Sequence, residues 1–115
     1  MSEIRYSDKG LWIEKENGNY RIGISEQGQD DIGEVAFVEL PANQSTIKTG
    51  DSLLNVEGAK AVTDLESPLT GTVIRFNKEL EDEPEKLNTP EKENNWIVEL
   101  TDVDEAIFSA LSEHV

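Results

Sequence analysis

The sequence predicts a small, mainly β protein, flattened into a sandwich or barrel, with short helical turns and a helix near the C-terminus. Three observations carry this reading. Runs of about 5–6 strand-forming residues recur between Gly and Pro breaks, the strand length usual in compact sheets. Asn17-Gly18 separates two such runs, and both residues tolerate the positive φ of a tight hairpin. The chain of 115 residues is 36% hydrophobic, which suits one core and a single domain spanning residues 1–115.

The elements follow in order. Leu11-Trp12-Ile13-Glu14-Lys15-Glu16 and Tyr20-Arg21-Ile22-Gly23-Ile24 flank Asn17-Gly18-Asn19 as the first hairpin. Ser25 then caps a single helical turn that Gly33 ends. Residues 35–40 read as a strand stopped by Pro41, which has no N–H for a ladder. Lys48-Thr49-Gly50-Asp51 makes a turn, and residues 52–57 and 61–67 flank Gly58-Ala59-Lys60 as a second hairpin with a small-residue tip. Residues 72–76 form a strand after the break at Ser67-Pro68-Leu69-Thr70-Gly71. The acidic stretch 78–93, limited by Pro84 and Pro90, predicts a short helical turn and then a solvated loop. Residues 96–100 return to strand, and Thr101-Asp102 cap a helix whose Val103, Ile107, Ala110 and Leu111 share one face.

Composition removes most chemistry. With 25 acidic residues against 10 basic and a net charge of -15, the chain repels nucleic acid and anionic membrane surfaces. It has no Cys, hence no disulfide, no zinc-thiolate site and no thiol nucleophile. The single histidine, His114, is next to the C-terminus, where chains fray, so a Ser/His/Asp triad or histidine metal site is not expected. In so acidic a chain neighbouring carboxylates arise by chance, and the expectation is a non-enzyme. No apolar run approaches the ~20 residues of a membrane helix, and Met1-Ser2-Glu3-Ile4-Arg5 lacks the apolar stretch of a secretory signal. A soluble, cytoplasmic protein is expected.

One lysine stands out. Lys60 is set between Ala59 and Ala61 at the tip of the second hairpin, with Glu57 before it and Asp64 after it. A lone turn lysine is ordinarily a solvated charge. Here the small neighbours Gly58, Ala59 and Ala61 leave the ε-amine unshielded, as an acylating enzyme needs. Glu57 and Asp64 can meet a basic enzyme surface, although strand-end solvation accounts for them equally well.

The order and spacing of further motifs resemble the glycine cleavage system H protein and H-like proteins, lipoyl carriers of the biotinyl/lipoyl domain group. The matching residues are Trp12, Ile22-Gly23-Ile24-Ser25, Gln29-Asp30-Asp31-Ile32-Gly33, Phe37-Val38-Glu39-Leu40-Pro41, Glu57-Gly58-Ala59-Lys60-Ala61, Ser67-Pro68-Leu69-Thr70-Gly71, Asn77-Lys78-Glu79-Leu80, residues 84–88 and Trp96. The resemblance implies a lipoyl-domain-like β-sandwich, a barrel-sandwich hybrid. It also implies lipoate in amide linkage on Lys60, loaded by a lipoate-protein ligase or lipoyl transferase that reads Glu57, Gly58, Ala59, Ala61 and Asp64. Biotin carriers of the same group flank their lysine with methionines, which Lys60 lacks. Absence of Cys suits a redox arm, since protein thiols would exchange with its dithiolane.

Where the usual H protein has histidines, this chain has Gly10 and Gln27, and Glu93-Asn94-Asn95 replaces a Gly-rich stretch. These departures point to the H-like branch, which relays lipoate or its redox or acyl cargo. That branch implies a sirtuin-type ADP-ribosyltransferase and a macrodomain hydrolase as partners, with Asp30 and Asp31 as modified residues. The alternatives are an authentic H protein shuttling the aminomethyl group between glycine cleavage enzymes, and an acidic interaction module with Lys60 unmodified.

Overall fold

Among the described residues, nine strands divide into a six-stranded and a three-stranded sheet that share one buried cluster. The computed structural model describes residues 3–41 and 45–113, and His114 lies outside them. In chain order the strands are β1 (Glu3–Ser7), β2 (Leu11–Glu16), β3 (Asn19–Ile24), β4 (Val35–Glu39), β5 (Thr46–Ile47), β6 (Ser52–Gly58), β7 (Val62–Glu66), β8 (Gly71–Phe76) and β9 (Trp96–Thr101). The helices are α1 (Glu26–Ile32), α2 (Glu79–Asp82), α3 (Lys92–Asn95) and α4 (Glu105–Ser109), with a 3-10 segment at Pro84–Asn88. The larger sheet runs β1-β2-β3-β9-β8-β5 and the smaller β4-β6-β7, all neighbours antiparallel.

Alternation along the strands sorts side chains between core and water. On β6, Leu54 and Val56 are fully buried while Asn55 and Glu57 face outward. They meet Ile13, Ile22, Val98 and Leu100 of the larger sheet in the core. Each such aliphatic contributes about 1.5–3 kcal/mol when fully buried. The expected sandwich is therefore present, as are both hairpins. Asn17 (φ 53) and Gly18 (φ 82) make the first turn between Glu16 and its partner Asn19.

Three segments depart from expectation. Ser25 caps α1 as expected, its hydroxyl accepting from the Gly28 N–H at 3.3 Å, and Gly33 ends it at φ 79. The helix nevertheless runs seven residues rather than one turn, because Gly28 and Ile32 face the core. Residues 78–93 are not a solvated loop. Leu80 and Leu87 are fully buried, and Gln29 Nε2 donates to the carbonyls of Leu87 and Thr89, both at 2.7 Å. Leu80 thus anchors α2 and Leu87 the 3-10 segment, Asn95 is buried at the end of α3, and Pro84 starts the 3-10 segment where no N–H is missed.

The C-terminal helix begins later than expected. Asp102 sits at φ 56, outside helical space, and Asp104 caps α4 by accepting the Ala106 N–H at 2.9 Å. Its inward residue is Phe108, edge-on to Tyr20 with centroids 5.1 Å apart, while Ile107 and Ala110 are exposed. Val103 and Leu111 pack on the core from outside the helix. The short β5 and the N-terminal β1 lack an apolar pattern of their own. β1 is held by its pairing with β2 and by a bridge from Tyr6 to Ser112.

Candidate functional site

Lys60 occupies the turn between β6 and β7, as its sequence context suggests. The Gly58 N–H donates to the Ala61 carbonyl at 2.9 Å, closing a loop of Ala59, Lys60 and Ala61. None of these three has positive φ. What holds the loop is the end of α1 and the chain leaving it: the Lys60 N–H donates to the carbonyl of Ile32 in α1 and the Ala59 N–H to the Glu34 carbonyl beyond it, each at 2.9 Å. Gly58 permits this closeness, since a Cβ there would overlap the carbonyl oxygen and Cγ2 of Ile32. The tip is thus held by tertiary contacts rather than by its own turn.

The lysine side chain is exposed but not adrift. Nζ donates to the Asp30 carbonyl at 3.1 Å, laying the stem along the end of α1 beside Gly33. Asp30 and Asp31, the candidate modified residues, are therefore its immediate neighbours, both exposed. Asn88, noted in the sequence only as part of the matching stretch 84–88, fixes the chain that leaves α1. Its Nδ2 donates to the Gly33 carbonyl at 3.1 Å and its Oδ1 accepts from the Val35 N–H at 2.9 Å.

Glu57 and Asp64 lie together on the outer face of the small sheet. Glu57 is exposed and makes no side-chain hydrogen bond or ion pair among the described residues, whereas Asp64 accepts from Asn55 Nδ2 at 2.6 Å. Beside the lysine a groove of about 140 Å³ is lined by Lys9, Gly28, Asp31, Ile32, Ala61, Thr63 and Leu65. Its walls are apolar at Ile32, Ala61 and Leu65 and carry one carboxylate, Asp31. Lys9 pairs with Glu66 at 2.9 Å, and this contact raises the Lys9 pKa above the ordinary lysine value, through the hydrogen bond first and the charge of Glu66 second.

Gly10 and Gln27, the positions where histidines are missing, differ in character. Gln27 is exposed on α1. Gly10 is at φ 84, its carbonyl accepts the Ser25 N–H at 2.9 Å, and its backbone abuts Gly28, so a side chain there has no room. Among the described residues no cluster of His, Cys, Asp or Glu could hold a metal ion, and no helix is long and apolar enough to cross a membrane.

The profile of the glycine cleavage H-protein family matches residues 4–114. Glycine cleavage system H proteins of Listeria innocua and Listeria welshimeri are 41% and 40% identical over 109 residues, 95% of this chain and 87% of theirs. The crystal structure of a glycine cleavage system H protein from Mycobacterium marinum superposes with a TM-score of 0.75 at 27% identity, covering 86% of this chain and 83% of that one. These relatives favour the glycine cleavage carrier over the H-like branch that the missing histidines suggest. The chain belongs to the glycine cleavage H-protein family, lipoyl carriers with lipoate attached covalently to a lysine.

Proposed function

We propose that the whole chain works in the cytoplasm as one carrier domain, bearing lipoate on Lys60 and shuttling the aminomethyl group between glycine cleavage enzymes. The observation that carries this is the Lys60 loop: an exposed lysine whose loop backbone is pinned by two hydrogen bonds, one to the last residue of α1 and one to Glu34 just beyond it. Such a loop presents a side chain to an acylating enzyme without moving its base. The lipoyl group, when bound, supplies a dithiolane that takes up the aminomethyl group as it is reduced. The protein's own share is to position and shelter. Ile32, Ala61 and Leu65 give the groove beside Lys60 apolar walls for an alkyl chain, and the Asp31 carboxylate in it suits a terminal ammonium. A carboxylate fits an aminomethyl cargo, because it pairs with the cation without having to lose a proton.

Incubation with lipoate, ATP and a lipoate-protein ligase is expected to add one lipoyl group per chain, read by intact mass, and none to Lys60→Arg. Arginine keeps the charge and lacks an acylatable amine. Lipoyl mass on the variant refutes the site, and no mass on the parent leaves the acidic interaction module as the better reading.

A second reading, the H-like relay under ADP-ribosylation control, is favoured by one observation: the Asp30 carbonyl holds Lys60 Nζ and Asp31 lines the neighbouring groove. Attack of either carboxylate on the anomeric carbon of NAD's ribose would expel nicotinamide and form an ester, which a macrodomain hydrolase could reverse. The doubly charged group would crowd the arm's resting place. With lipoylated protein, NAD and a sirtuin-type ADP-ribosyltransferase, the parent is expected to gain an adduct that Asp30→Ala or Asp31→Ala loses. No adduct on the parent, or full modification of both variants, ends this reading.

A further inference from the structure

A row of side chains on the outer face of the small sheet is unaccounted for by folding. Phe37 on β4 pairs with Glu57 on β6, and Glu57 pairs with Val62 on β7. All three point to solvent, Phe37 with 50% and Val62 with 68% of its surface exposed. The row below it, Glu39, Asn55 and Asp64, is polar. Apolar residues at both ends of the upper row are thus an exception on this face.

Phe37 reaches that face because of a bulge. In a regular strand Val35 and Phe37 would share a side, but the register slips between them where β4 runs along β6. The extra residue lets Val35 and Val38 both enter the core and turns Ala36 and Phe37 outward. A bulge of this kind re-aims a side chain. Leaving a phenyl ring half in water forgoes burial that the core could use.

The row also stands beside the lysine. Val62 is two residues after Lys60 and Glu57 three before it, so an enzyme that grips the hairpin tip from its outer side meets this row. Charge restricts what can cover it. Strands β4, β6 and β7 with the loop between β6 and β7 carry exposed Glu39, Glu57 and Asp64, and Lys60 is their only cation. We infer that Phe37, Glu57 and Val62 form the docking surface for the enzyme that acylates Lys60. That enzyme offers two apolar depressions flanking a basic side chain, so that Phe37 and Val62 anchor while Glu57 pairs. Aromatic anchors around a desolvated charge are the usual energetic centre of an interface.

The inference rests on Lys60 being the acylated residue, and the test separates the two. Initial rates of lipoylation are measured with a lipoate-protein ligase, lipoate and ATP over a range of carrier concentration. For Phe37→Ser the KM for the carrier should rise about tenfold with kcat retained, and for Val62→Thr a few-fold, as expected for lost anchors. Phe37→Leu should recover most of the loss. In parallel, Lys60→Arg carrier should inhibit lipoylation of the parent competitively, and adding Phe37→Ser to it should weaken that inhibition about tenfold. Parental KM and inhibition in the Phe37 and Val62 variants would overturn the docking surface while leaving the Lys60 site intact. A parent that is not acylated at Lys60 would overturn both. Should Phe37→Ser lower the melting temperature, the Phe37→Leu and Val62→Thr rates decide, and parental values there count against the surface.

Discussion

β2 turns into β3 through Asn17 and Gly18, both at positive φ, whereas β6 turns into β7 through Ala59, Lys60 and Ala61, none of them at positive φ. The first turn stands in open space, with nothing within 4 Å of where a Cβ on Gly18 would be. The second leans on the end of α1 and on Glu34 just past it, through one backbone hydrogen bond to each and the contact of Gly58 with Ile32. One hairpin carries its instructions in its own dipeptide. The other takes its shape from a helix some thirty residues upstream, and it is the one that holds the lysine. A carrier gains from this, because a tip fixed by tertiary contacts is free to use small, unreactive residues around the amine.

The contrast can be broken from both ends. Gly58→Ala forces a methyl group into the carbonyl of Ile32, and should cost about 3 kcal/mol, the upper range for overpacking without a cavity to absorb it. Urea unfolding measures the loss, and lipoylation of the still-folded variant should slow as the tip lifts from α1. An effect under about 1 kcal/mol would mean the two segments yield easily. Gly18→Ala meets no atoms but must keep φ 82, so it should cost about 1–2 kcal/mol with lipoylation unchanged. Loss of lipoylation there would deny that the hairpins are independent.

The smallest effect concerns the ion pair between them. Lys9, just before β2, holds Glu66 at the end of β7, with both side chains substantially exposed. Because its pKa is raised in the folded state, the pair's contribution is complete below the ordinary lysine value of 10.5 and is lost as pH rises through the higher folded value. The melting temperatures of the parent and Lys9→Gln should therefore differ slightly at pH 9 and converge as pH rises past the raised folded value. A gap that persists at high pH would assign the difference to packing instead.

Local signals were legible wherever a short stretch decides its own conformation. Asn17-Gly18, the Ser25 cap, Gly33 and Pro41 act through residues next to them, and each marks the boundary it suggests. Residues 78–93 were misread because their many carboxylates outweigh two leucines in any composition, while burial of Leu80 and Leu87 outweighs them in the fold. The helical face near the C-terminus was misplaced because Asp102 adopts φ 56, which shifts the start of α4 and brings Phe108 inward. Lys60 stood out from small neighbours alone, yet its contact with Asp30 depends on how α1 meets the hairpin. Phe37 was visible as part of a motif, but not its outward face, because a bulge, invisible in the run Val35-Ala36-Phe37-Val38, decides which side it takes.

The hydrogen bond from Lys60 Nζ to the Asp30 carbonyl has an electrical side. α1 has no basic residue in its last turn, so the ammonium of Lys60 is the positive charge that meets the partly negative carbonyl end of that helix. Forming an amide removes that charge, and the chain becomes one unit more negative than its formal -15. Loaded and unloaded carrier should therefore separate on an anion exchanger. A partner with a basic rim then has a direct way to tell them apart, holding the loaded form at a face from which the last cation has gone.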